Sequence, residues 1–96
     1  MKIPLTVKVG PVNYDVVEKP FIEIDGNRNY QGACCYADTT IEILEDISAE
    51  RKPDVFIHEL THAIFYEAGF EEQDEDTINR VAKVLHQVIN DNNFKE

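Results

Sequence analysis

The sequence predicts an α+β fold: a small antiparallel β-sheet in the N-terminal half, packed against a buried central helix and a second, C-terminal amphipathic helix. Two changes of periodicity carry this expectation. Up to Leu44 apolar residues recur with period two between turn residues, and from Ser48 they recur at three- and four-residue steps. The chain of 96 residues, 43% of them apolar, suits one domain with a single modest core, and no repeat or low-complexity linker divides it.

Leu5, Val7 and Val9 alternate with Thr6 and Lys8. Gly10-Pro11 punctuates, and Val12, Tyr14 and Val16 resume the alternation, so two antiparallel strands are expected. Phe21 to Ile24 reads as a short third strand ahead of the turn Asp25-Gly26-Asn27. Tyr30 to Tyr36 and Thr39 to Leu44 follow as further strands, joined at Ala37-Asp38, with Ile41 and Ile43 on one face. The expected sheet has about three to five strands.

The central helix starts either near Ala49, with Ser48 as N-cap, or at Pro53 as its first residue, since proline is tolerated only in the first turn. Gly69 is its natural C′ residue. On a wheel of about 100° per residue, Phe56, Ile57, Leu60, Ala63 and Ile64 form one apolar arc, while Val55, Phe65 and Tyr66 lie on the other side. Apolar residues on nearly every side imply a buried helix. The second helix, from about Asp74 to Ile89, has Ile78, Val81, Ala82, Leu85, Val88 and Ile89 on its inner face, and the polar tail from Asn90 to Glu96 is expected to fray.

Inside the first helix lies His58-Glu59-Leu60-Thr61-His62, an HExxH motif. Residues four apart share a helix face, so both imidazoles reach one metal ion, and Glu59 is placed to handle protons. The motif's ordinary chemistry is that of a zinc hydrolase in which the metal activates a water and the glutamate is general base. Two histidines and a glutamate on a buried helix need partners, and one metal ion satisfies all three, two directly and one through its water.

Catalytic zinc commonly takes three protein ligands and keeps a position open. The third ligand must come from outside the motif helix. In the acidic run 71–76, Glu75 falls at the edge of the second helix's apolar face, about 60° from Ile78, while Asp76 points away. Glu75 is therefore preferred, with Asp74 as the alternative, and Asn79, one turn on, is a candidate to orient it. His86 lies on the same flank about 16 Å further along the axis, too far to share a metal with Glu75. Glu67 faces away from His58 and His62. Tyr66, His86 and Tyr36 are candidates for an oxyanion donor.

His58-Glu59-Leu60-Thr61-His62-Ala63-Ile64, followed by Glu75-Asp76-Thr77-Ile78-Asn79-Arg80-Val81-Ala82, resembles the phage and prophage metallopeptidase-like proteins of the ImmA/IrrE type. The resemblance covers the second half of the chain. It implies a minimal zincin-like fold, with His58 and His62 as zinc ligands, Glu59 as base and Glu75 as third ligand. Thr61 stands where many members have glycine and Ile78 where alanine is common. Longer members carry a helix-turn-helix or regulatory domain, for which these residues leave no room.

Nineteen acidic against nine basic residues leave a net charge of −10, which argues against a nucleic-acid partner and fits solubility or a basic peptide substrate. No apolar run is long enough to span a bilayer, and Met1-Lys2-Ile3-Pro4 does not lead into a signal-peptide core, so a cytoplasmic protein without membrane contact is expected. Cys34 and Cys35 are adjacent and read as two small strand residues pointing to opposite faces. The leading expectation is thus a zinc metallopeptidase acting on a protein or peptide. The alternative is a regulatory or interaction protein in which zinc is structural.

Overall fold

In the computed structural model, which describes residues 1–94, the elements run β1 (Thr6–Val9), β2 (Val12–Lys19), β3 (Gly32–Cys35), β4 (Thr40–Leu44), α1 (Lys52–Glu67) and α2 (Glu75–Asp91). The α+β architecture matches the periodicities, and one half of the chain forms the sheet while the other forms the helices. No helix among the described residues is long and apolar enough to cross a membrane.

The sheet has the order β1-β2-β4-β3 and is mixed, not purely antiparallel. β1 pairs antiparallel with β2, with Val7 opposite Tyr14. β4 pairs antiparallel with β3 but parallel with β2, placing Val16 beside Ile41 and Glu18 beside Ile43. Burial accounts for the arrangement. β4 carries Ile41 and Ile43, both essentially inaccessible, and takes the central position, whereas Gly-Ala-Cys-Cys of β3 has little to bury and takes the edge. Strand β3 enters from the end where β2 finishes and leaves a space that β4 fills.

Residues 20–31 between β2 and β3 do not form the third strand expected from Phe21 to Ile24. Ile22 is buried, but the pairing there is a single bridge between Ile24 and Asn27 around Asp25 (φ 52°) and Gly26 (φ 79°). Two consecutive residues of positive φ make a two-residue hairpin turn there, and pairing does not extend beyond that one bridge. The strand expected from Tyr30 to Tyr36 contracts to β3 for a related reason: Thr39, at φ 48°, closes a turn that begins at Tyr36.

One face of the sheet, with Val9, Tyr14, Ile41 and Ile43 at its centre, receives Phe56, Ile57, Leu60 and Ala63 of α1. Ile64, placed on the same arc by the wheel, is 39% exposed at its margin. Helix α2 packs on α1 and on none of the strands. Its buried residues are Ile78 and Ala82, with Leu85 and Ile89 partly covered.

Of the two expected starts for α1, the one near Pro53 is observed, one residue earlier, with Lys52 first and Pro53 second. Arg51 is the N-cap residue and provides no side-chain cap. Ser48 heads the preceding turn, where its hydroxyl accepts from the Glu50 amide at 3.1 Å and its carbonyl from the Arg51 amide at 2.9 Å.

At the other end Ala68 is the C-cap and Gly69, at φ 104°, is C′. The Gly69 amide donates to the Tyr66 carbonyl and the Phe70 amide to the Phe65 carbonyl, and the Phe65 and Phe70 rings meet at 5.5 Å. This is a Schellman closure with its apolar contact, and it turns the chain sharply towards α2. Helix α2 begins one residue later than expected, because Asp74 is its N-cap: the carboxylate accepts from the Thr77 amide at 3.0 Å and from the Thr77 hydroxyl at 2.9 Å. Its other end runs two residues past Ile89, to Asp91, so the start of the tail expected to fray is helical. Residues 92–94 follow without helical structure and are exposed, and residues 95–96, the rest of that tail, lie outside the described residues.

Candidate metal centre

The HExxH residues sit on the α1 surface that faces β3 and the start of α2. His58 and His62 present their Nε2 atoms to the Glu75 carboxylate, at 2.8 Å from Oε1 and 3.3 Å from Oε2 respectively. One ligand atom from each of the three residues lies within 4.8 Å of the others. Local chemistry explains the meeting. The helical repeat stacks the histidines, the Schellman turn reverses the chain after Gly69, and the Asp74 cap puts Glu75 at the first helical position of α2.

Asp74 gives Oδ2 to both bonds of the cap, and Glu75 faces the imidazoles.

Glu59 is turned towards β3 and is only 8% exposed. Gly32 makes this possible: a Cβ there would stand 2.5 Å from Val55 Cγ1 and 3.2 Å from Glu59 Cγ, so the bare glycine lets α1 come down on the strand. Burial, and next the Glu75 charge, push the Glu59 carboxyl up from 4.5 to about 8. Glu59 lines an open cleft together with His58, His62, Glu75, Tyr36 and Cys34, and the cleft continues past His58 to Asn29, Gln31 and Asp54.

The remaining candidates divide. Tyr36 lines the cleft, with its ring stacked on Tyr66 at 4.1 Å and 6°. Tyr66 supports that ring from behind and is not part of the cleft lining around the triad. His86 is engaged by Asp54 through Nδ1 and belongs to a neighbouring groove with Asn79 and Lys83. Among the described residues, no hydrogen bond joins Asn79 to Glu75, so the expected orienting role has no contact behind it. Glu67 accepts a 2.7 Å hydrogen bond from the buried Tyr14 hydroxyl, in keeping with its exclusion as a ligand.

Two residues of the site escaped the sequence reading. Gln73 places Oε1 2.6 Å from His62 Nδ1 and Nε2 3.1 Å from the Tyr36 hydroxyl. Its one visible signal was being the single uncharged residue of the run 71–76. Cys34 was read as a strand residue and is one, but it also lines the cleft; burial, followed by the Glu59 charge, pushes its thiol up to about 12.

Strand β4 is flanked on both sides and has no free edge. The free edge beside the cleft belongs to β3, whose Gly32, Ala33 and Cys34 line it.

No protein-family model matches this chain, and neither a curated protein nor a solved structure matches it. What the chain does has to be read from its residues and their geometry.

Proposed function

We propose that this protein is a zinc-dependent metallopeptidase of the ImmA/IrrE type, with His58, His62 and Glu75 as metal ligands and Glu59 as general base. The observation that carries the reading is the convergence of two imidazole Nε2 atoms and a carboxylate within 4.8 Å. Atoms that each offer a lone pair repel one another unless a cation or a proton lies between them. Two neutral imidazoles and one carboxylate are a ligand set that catalytic zinc uses, with one coordination position left open. A zinc ion there supplies a Lewis acid that acidifies water and polarises a carbonyl.

The chain's own groups supply the rest. Glu59 Oε takes the proton of the attacking water and delivers it to the departing amine nitrogen. The β3 edge offers backbone hydrogen bonds to an extended peptide. The charge of −10 favours a basic segment as substrate. Two free cysteines agree with action in the reducing cytoplasm.

A purely structural zinc would be enclosed, whereas the ligands here border an open cleft, which favours the enzyme over the regulatory alternative. Metal analysis of the purified protein should give about one zinc per chain, lost in His58→Ala and in His62→Ala. Glu59→Gln should keep the zinc and lose hydrolysis of a mixed peptide library; equal cleavage by this variant sinks the enzyme reading.

A further inference from the structure

We propose that Gln73 is a positioning residue whose side-chain amide holds His62 in the Nδ1-protonated tautomer and ties that ring to the Tyr36 hydroxyl. The inference rests on the metal-site reading for its purpose, but its geometry stands independently.

Gln73 Nε2 lies 3.1 Å from the Phe70 carbonyl oxygen and 3.3 Å from the His62 carbonyl oxygen. Both partners only accept, so the NH2 group must face them and Oε1 must face the imidazole. Oε1, an acceptor 2.6 Å from His62 Nδ1, requires a proton on that nitrogen. In the neutral ring the lone pair then resides on Nε2, the atom directed at Glu75.

The same NH2 reaches the Tyr36 oxygen at 3.1 Å, so its two hydrogens serve three acceptors and the longest contact, to the His62 carbonyl, shares a hydrogen with another. The Tyr36 oxygen accepts, which leaves the phenolic proton free to donate into the cleft. Stacking against Tyr66 holds the ring in place. One side chain from the link between the helices thus sets the donor direction of a metal ligand and of a cleft hydroxyl. The Schellman turn places it there, since Phe70, whose carbonyl anchors the amide, is the residue that closes that turn.

The test is a zinc competition titration together with long-range 15N–1H spectra of the histidine rings. In wild-type protein freed of metal, at a pH where the rings are neutral, His62 should already show the Nδ1–H tautomer; an Nε2–H tautomer overturns the proposal. Gln73→Met, of similar length without hydrogen bonding, should weaken zinc about 10–100-fold and change the His62 ring signals. Tyr36→Phe removes one leg only and should leave zinc affinity within about twofold. Zinc bound equally well by Gln73→Met with unchanged His62 signals overturns the proposal. Should Gln73→Met fail to fold, the wild-type tautomer decides by itself. Should wild-type protein bind no zinc, the metallopeptidase reading falls while the tautomer measurement still tests Gln73.

Discussion

Replacing Glu59 by glutamine should stabilise the metal-free protein, and by an amount that depends on pH. The folded state holds this carboxyl at about 8 against 4.5 for an exposed one, because burial disfavours its charge and Glu75 adds repulsion. Since the folded pKa is the higher, the folded state binds the proton more tightly. The associated stability is fully present below pH 4.5 and is lost as pH rises through about 8. At about 1.4 kcal/mol per pH unit the loss is on the order of 3 kcal/mol at pH 7 and somewhat under 5 kcal/mol above pH 8. A domain of this length has only about 5–14 kcal/mol in total, so the effect is large. Urea denaturation in the presence of a chelator should give nearly equal stabilities for wild type and Glu59→Gln at pH 5, and a variant more stable by a few kcal/mol at pH 8.5. Zinc should narrow that gap, because a nearby cation favours the charged carboxylate. Parallel pH profiles for the two chelated proteins would refute the reasoning.

Gly32→Ala should cost about 1–3 kcal/mol, because the new methyl would stand 2.5 Å from a branched valine on a packed helix; a melt showing no loss would mean that α1 shifts freely off β3. Asp74→Ala should keep one zinc per chain and cost about 1 kcal/mol through the lost cap, whereas loss of the metal would return Asp74 to the ligand set.

The helices were legible because their signals are local. Proline in the first turn, glycine at C′ and the apolar repeat are each decided within a few residues, and the HExxH spacing depends on nothing but helical geometry. Glu75 could be chosen by the same reasoning, since its angle on α2 is fixed by the helix that carries it. The sheet was legible in its strands but not in their order. Period-two alternation says which face of β4 is buried and is silent on which strands lie beside it and in which direction they run. Phe21 to Ile24 has strand-like residues, yet the turn at Asp25-Gly26 serves a local loop. Gln73 was invisible for a different reason: its partners, His62 and Tyr36, are 11 and 37 residues away and are brought to it only by the assembled fold.

Helix α2 touches no strand, and its inner face meets only the helix that carries the histidines. It is thus held to the molecule by one apolar seam, by the His86–Asp54 pair and, if the proposed zinc is bound, by a coordinate bond at its first turn. Zinc would then act as a latch on a door hinged at residues 70–74. Chelation should release the amides of α2 to solvent exchange well before those of β2 and β4, with the sheet still closed. Protection that falls together in both would mean that the door and the frame are one cooperative unit. A cell short of zinc would then see this protein as an intact sheet with an unfastened C-terminal helix, the kind of loose end that proteases engage first.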